Sequence, residues 1–485
     1  MKIRYAVIIL AGIILSAFID VKQSPLQACW NQQGKSLQGK YLQLSFIETL
    51  NELEHSFEPW QQTKFSGKGK VWSGEKSFLK SDTTISNRRA YMSKTEYSKE
   101  TMLLLDYGDK ELNAVTPKMH EEFIFQSARY SPVLLLGYFM EKAPVQSKES
   151  NATHAVHRLV IRGTTVKVFI RKSDNLLDKV TLLAHDPMFG DVLTTFTYLQ
   201  YAKSGTVNYP QVISIDKMGG KIHDEVKIVS ATLVDKADDL VTAPEGYKLK
   251  DEVAAIPETV TTVKHSDHIY FVEFAQANAQ SIIVEFNDFL VVAEAPLSSE
   301  NGELLIAEAR KIAPKKPIRY FLFGHYHPHY LGGVRPFVHK GATILMTEPD
   351  TAYLQYLVNA PHTLQPDSLQ LQPKPAKTEF IKDKKIISDG TFIMEIYFLG
   401  ERSGHTKDYL FYYFPMEKLL FQDDLAWIPA TDGLTKASKR QEGLYTFIVD
   451  QKLEVDTIVQ GWPMKDFNVK SKFSFAELEG SVKMK

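Results

Sequence analysis

A short basic start, Met1-Lys2-Ile3-Arg4, is followed by an almost wholly apolar run from Tyr5 to Ile19, which Asp20 and Lys22 close. An apolar run of about 15 residues has the length of a signal-peptide core and falls short of the roughly 20 that span a bilayer. Residues 1–28 therefore read as an export signal, with an uncleaved membrane anchor as the alternative. Between Lys40 and Gln61, the apolar positions Leu42, Leu44, Phe46, Ile47, Leu50, Leu53 and Phe57 recur mainly at spacings of three and four, which predicts an amphipathic helix. From Thr63 to Tyr107 the pattern changes to short runs rich in Val, Phe, Thr and Tyr between Gly, Ser and Asn turns, which predicts antiparallel strands. Pro117 to Tyr138 reads as a helical stretch interrupted at Pro132. Strand patterns then resume from His154 to about Leu240. Such runs at spacings of roughly 8–12 residues predict one large, curved antiparallel sheet with helices against it. This domain is placed at residues 30–245, and Val241 to Tyr247 reads as a linker.

A second domain is placed at residues 255–485. From His268, three strand-like runs follow in quick succession (IYFVEFA, QSIIVEFN, FLVVAEAP), then helical spacing over Ser299 to Ile312, then a strand over Arg319 to Phe323. Strand, helix and strand in that order predict an α/β layer, and ligand sites in such layers gather at the carboxyl ends of the strands. His325 stands just past one.

Composition narrows the picture. A chain of 485 residues exceeds what one core supports, so two domains and a leader are expected. With 57 Lys+Arg against 58 Asp+Glu the net charge is −1, which supplies no basic footprint for nucleic acid. A small-molecule substrate is expected instead, and nothing fixes an oligomeric state. Cys29 is the single cysteine, so no internal disulfide and no multi-cysteine metal site can form. Any metal must be held by His, Asp or Glu. Leu26-Gln27-Ala28-Cys29 loosely resembles a bacterial lipobox. The expected location is the bacterial periplasm, with a membrane tether through the N-terminus or a lipidated Cys29 as variants of it.

The chemistry concentrates in Gly324-His325-Tyr326-His327-Pro328-His329-Tyr330-Leu331-Gly332-Gly333. Two histidines at i and i+2 past a strand can turn both imidazoles toward one point, and neutral imidazole is a good zinc ligand. The segment resembles the signature of the metallo-β-lactamase superfamily, His-x-His-x-Asp-His, an aliphatic residue and Gly-Gly. Later elements fit in order. Gly404-His405-Thr406 is similar to the family's Gly-His-Thr. Leu419 to Leu425 is similar to its strand ending in Gly-Asp, with Asp424 at the aspartate and Asp423 at the glycine. Ile458 to Trp462 is similar to its closing strand and Gly-His, and Val291 to Pro296 suits an upstream strand. The likeness covers roughly His265 to Asp466.

The resemblance implies an α/β (α+β) protein whose C-terminal half is an αββα sandwich with a metal site at one edge, preceded by the mostly antiparallel sheet domain. It implies metal-dependent hydrolysis of an ester, thioester, lactone or amide-type bond. His325, His327 and His405 would hold the first metal, with Asp424 as a fourth or bridging ligand. The second site is eroded: His329 stands at the family's aspartate, Tyr330 at a histidine and Trp462 at the last histidine. Tyrosine, with its pKa near 10, is a poor ligand at neutral pH, and indole only donates. One zinc ion is therefore expected, or two if His329 joins Asp424. As catalytic groups, His329 would act on the water as general base, Asp424 beside it, and Tyr330 would hydrogen-bond substrate or water. Glu348 and the loop from Trp427 to Ser438 are candidates for lining the site. His154, His157, His185, His339 and His362 read as structural. Two alternatives stand: an inactive binding protein of the same fold, and an apolar-ligand carrier working through the N-terminal sheet.

Overall fold

The computed structural model describes residues 23–53, 55–86, 89–98, 102–106, 111–113, 116–237, 245–249, 259–465 and 467–484. The apolar leader run lies outside these residues, as does residues 241–244 of the expected linker. Among the described residues no helix is long and apolar enough to cross a membrane.

The first half is one sheet of fourteen strands. Tyr41–Glu52 lies near its middle. One wing runs outward through Thr63–Ser73, Phe78–Ser86, Arg89–Tyr97, Met102–Asp106 and Glu111–Asn113. The other runs through Ile222–Val234, Val207–Lys217, Gly190–Ser204, Leu177–Asp186, Thr164–Arg171 and His154–Ile161. The pairings are antiparallel apart from a two-residue parallel edge at Lys248–Leu249. Helices Pro25–Gln33, Pro117–Ser127 and Val133–Lys142 pack on one face. Leu26, Cys29, Phe123, Leu135 and Phe139 join Val168, Ile170, Val180, Phe196 and Ile215 in one core. Cys29 is fully buried there, accepts from Gln33, and burial pushes its thiol up to about 12.

The helix expected over Lys40 to Gln61 is instead the strand Tyr41–Glu52 and a loop. Leu42, Leu44 and Phe46 are buried while Ile47 is half exposed, which is the period of a strand. The same residues offer both spacings. Pairing decides between them, because Ile222–Val234 and Thr63–Ser73 bond both edges of this segment. Long-range ladders override a local periodicity.

The second half has four layers. A seven-stranded sheet is ordered Val260–Lys264, Ile269–Phe274, Ala279–Glu285, Leu290–Ala293, Ile318–Leu322, Thr343–Met346, Lys377–Phe380. A six-stranded sheet is ordered Lys384–Ser388, Ile393–Phe398, Leu410–Phe414, Leu419–Gln422, Thr457–Gln460, Lys472–Ser474. Ile282, Val284, Val291 and Leu322 from the first meet Met394, Ile396, Phe414 and Phe421 from the second in the central core. Helices Ser299–Ile312, Arg335–Lys340 and Thr351–Asn359 cover the outer face of the first sheet through Leu305, Phe337 and Leu357. Helices Lys439–Asp450 and Phe475–Lys483 cover the second through Leu444, Phe447 and Leu478. The expected αββα sandwich is present.

The halves are joined by packing. Met188, Phe189 and Met218 of the first sheet belong to the same apolar cluster as Tyr353 and Leu357. The Asp191 carboxylate accepts the N–H groups of Thr363 (2.8 Å) and Leu364 (3.1 Å), and its own N–H donates to the Pro361 carbonyl at 2.7 Å.

Candidate metal centre

Each of the two sheets brings part of the site to one edge. Ile318–Leu322 lies between two parallel neighbours, and the chain leaving it delivers His325 and His327. His327 ends an extended stretch and heads the short helix Pro328–Leu331, where Pro328 fits the first helical position. On the second sheet, the turn Gly400–Ser403 presents His405, and Asp424 follows the strand Leu419–Gln422. The ligand atoms of His325, His327, His405 and Asp424 all lie within 4.8 Å of one another.

Hydrogen bonds assign the free nitrogens. His327 Nε2 lies 3.1 Å from the Ser56 carbonyl, which can only accept, so that nitrogen carries the proton and Nδ1 presents a lone pair. His325 Nδ1 lies 2.7 Å from Asp423 Oδ2. With the carboxylate accepting there, His325 Nε2 is also a lone pair. These two lone pairs face each other at 2.9 Å. Buried acceptors that close repel unless a cation lies between them. His405 Nε2 is buried without a hydrogen-bond partner, although Asp424 Oδ2 is only 3.0 Å away. Three imidazoles and a carboxylate converging in this way fit a metal ion, and the donor types suit zinc.

The surroundings hold His325, His327 and His329 neutral. Burial, then the neighbouring His327 and His405, push the His325 imidazolium well below its ordinary range. Burial takes His327 down to about 3 and His329 down to about 4. Burial alone would raise Asp424, but His405 and then Arg440, 3.7 Å away, outweigh it, so its carboxylate stays ionised.

Behind His325 lies a carboxylate pair. Glu294, at the end of Leu290–Ala293, accepts from the Tyr412 hydroxyl and from the Gly324 N–H (3.1 Å). Burial pushes it up to about 8, and burial with the Glu294 charge pushes Asp423 up too. Asp423 reaches His325 only because residue 324 is glycine: a Cβ there would stand 2.1 Å from Asp423 Oδ2.

His329 lies beside the cluster rather than among its four converging ligands. Its ring sits 4.8 Å from Trp462, between ring centres, and it makes no hydrogen bond. Trp462 packs with Trp427 (5.9 Å) and Phe467 (5.6 Å), so the loop from Trp427 does contribute to this wall. Tyr330 packs on His325 at 4.4 Å, and its buried hydroxyl has no partner. Glu348 is exposed at the start of a short turn and does not line the site. His362 is buried at the seam between the halves and His339 ends a helix on the surface, both away from the metal ligands.

Two contributions were not foreseen in the sequence. Asp423 read only as a departure from glycine, although an acid beside Asp424 was the available signal. The Ser56 carbonyl and His55 come from the N-terminal half, and a local motif carries no trace of a contact 271 residues away.

No family model and no curated protein sequence matches the chain. Solved structures do resemble its C-terminal half. A metallo-β-lactamase from Pontibacter korlensis is 17% identical with a TM-score of 0.34, over 46% of this chain and 96% of that one. The FIM-1 metallo-β-lactamase from Pseudomonas aeruginosa, in its mono-zinc form, is 18% identical with a TM-score of 0.35, over 47% and 96%. The stereoselective inverting sec-alkylsulfatase Pisa1 from Pseudomonas sp. is 15% identical with a TM-score of 0.33, over 46% and 41%. At these identities the likeness extends to the fold of that half and no further. The layer order, together with the site at the sheet edge, makes the C-terminal half a metallo-β-lactamase fold.

Proposed function

We propose that the protein is an exported hydrolase that uses one tightly held zinc ion to cleave an ester, thioester, lactone or amide-type bond. The observation that carries this reading is the pair of unprotonated imidazole nitrogens 2.9 Å apart, with His405 Nε2 and the Asp424 carboxylate closing around the same point. His325, His327 and His405 would hold the ion and Asp424 would be the fourth ligand. A zinc ion bound there lowers the pKa of water toward neutrality and polarises a carbonyl oxygen. The chain's own residues do the rest. Asp423 and the Ser56 carbonyl hold the two imidazoles in the right tautomer and orientation, the kind of outer support that raises ligand basicity. Asp424, ionised and beside Arg440, accepts hydrogen bonds at its Oδ atoms. A base with a pKa of about 4 is weak at neutral pH, so His329 is better suited to hydrogen-bonding than to taking the proton. Tyr330 keeps its proton, because burial raises its pKa, and remains a donor.

The carrier reading has one observation of its own: a cavity of about 610 Å³ on the N-terminal sheet. Glu48, Lys80, Asp82 and Arg129 stand in its walls beside Phe78 and Phe123, so its occupant would need a polar end. The hydrolase reading is tested by a panel of ester, thioester, lactone and lactam substrates, assayed before and after chelation. Hydrolysis that is lost to the chelator, restored by zinc and abolished in His405→Ala is expected. Hydrolysis indifferent to chelation would overturn the reading.

A further inference from the structure

The segment 55–62, beyond the middle strand of the N-terminal sheet, lies against both loops that carry the candidate metal ligands. At one loop, the Ser56 carbonyl accepts from the Tyr326 hydroxyl (2.7 Å) as well as from His327 Nε2. At the other, the Lys407 N–H donates to the Phe57 carbonyl at 3.0 Å, and Lys407 Nζ pairs with Glu58 at 3.2 Å. Further along, Trp60 packs against Tyr353 (4.7 Å) and Tyr356 (5.0 Å) with Lys221 over its face at 3.8 Å. A segment fastened at three places is a built part of the centre. Ligand sites commonly form where two domains meet.

His55 is the side chain this segment sets over the centre. Its ring centre is 5.1 Å from that of His327 and 6.0 Å from that of His329. The residue is exposed, and among the described residues neither of its ring nitrogens has a hydrogen-bond partner. By contrast, His325 Nδ1 and His327 Nε2 are engaged with Asp423 and Ser56, and the other nitrogen of each ring faces the point where the four ligands converge. Beside His329, Trp427, Trp462 and Phe467 form an apolar wall. A polar substrate arriving at the four ligands therefore meets His55 and His329 as its free donors. We propose that the active site is assembled from both halves of the chain, with His55 contacting the substrate oxygen at the mouth of the metal centre. This rests on the metal-dependent reading above, and it assigns the N-terminal half a direct part in substrate binding.

Cobalt(II)-substituted full-length protein, titrated with acetate as a minimal oxygen ligand and followed by its visible absorption bands, tests the proposal. The wild type should take up cobalt and shift its bands with acetate. His55→Ala should keep the same cobalt content and the same starting spectrum, and its acetate dissociation constant should rise about tenfold. His55→Gln, which retains an N–H donor, should recover part of the loss. Unchanged acetate affinity in His55→Ala, or a wild-type cobalt protein that does not respond to acetate, would overturn the proposal while leaving the metal site standing. Loss of cobalt from His55→Ala would overturn it differently, by making the residue a ligand. Failure of the wild type to bind cobalt at all would remove the metal reading and this inference together.

Discussion

At the scale of single residues, the candidate metal centre depends on groups outside its four converging ligands. Asp423 fixes His325 through one 2.7 Å hydrogen bond, and Gly324 leaves room for it. Removing such an outer partner typically weakens metal binding 10–100-fold. Asp423→Ala should therefore lose about that much zinc affinity, measured by competition with a chromophoric chelator, while its circular dichroism stays unchanged. Gly324→Ala should show a comparable loss without altering any ligand, because its Cβ would displace the Asp423 carboxylate. Wild-type affinity in both variants would mean that His325 is oriented by something else. The ligands themselves were legible in the sequence because they follow strands within a few residues, as His325-x-His327, Gly404-His405 and Asp424. Asp423 was half legible, as an acid where a glycine was expected. His55 and Ser56 were not legible, because only the fold brings them to the site.

Elements show a similar division. Strands and helices with one clear period were readable, such as His154–Ile161 and Ser299–Ile312. Tyr41–Glu52 was not, because its apolar residues satisfy two periods and its ladder partners lie far along the chain. The helix Arg335–Lys340 illustrates an element held by charge. Its Arg335 is almost fully buried, donates to Asp367 (2.6 and 3.1 Å), and reaches the carbonyls of Leu357, Val358 and Ala360. Removing one partner of such a pair costs about 3–5 kcal/mol, so Arg335→Ala should lower stability by that amount in urea unfolding. The same pair gives a pH dependence. Although burial opposes it, bonding to Arg335 brings Asp367 down to about 2, below its ordinary value near 3.9. A carboxylate depressed on folding contributes stability that is full above about pH 4 and is lost as pH falls through about 2. Asp367→Asn should accordingly show a smaller fall in urea midpoint between pH 5 and pH 3 than the wild type. An equal fall would show that other carboxylates carry the acid sensitivity.

At the scale of the whole molecule, the two halves pack against each other along one seam. The seam is close-packed: Gly190 has φ +75°, and a Cβ there would stand 2.3 Å from the Pro361 carbonyl oxygen. A left-handed conformation costs a non-glycine residue about 1–2 kcal/mol before any clash. Gly190→Ala should lower the thermal midpoint by at least that cost, and separate the unfolding of the two halves in calorimetry. An unchanged single transition would mean that the seam contributes little. The αββα half was legible from strand spacing and motif order. The seam was not, since Met188, Phe189 and Met218 look like any other sheet residues until their partners are in place.

The central claim is that His325, His327, His405 and Asp424 hold one metal ion. Elemental analysis of the purified, dialysed protein beside His327→Ala tests it most directly. The account predicts about one zinc per chain in the wild type and loss of it in the variant. No bound metal after zinc is supplied, or the same content in His327→Ala, would contradict it.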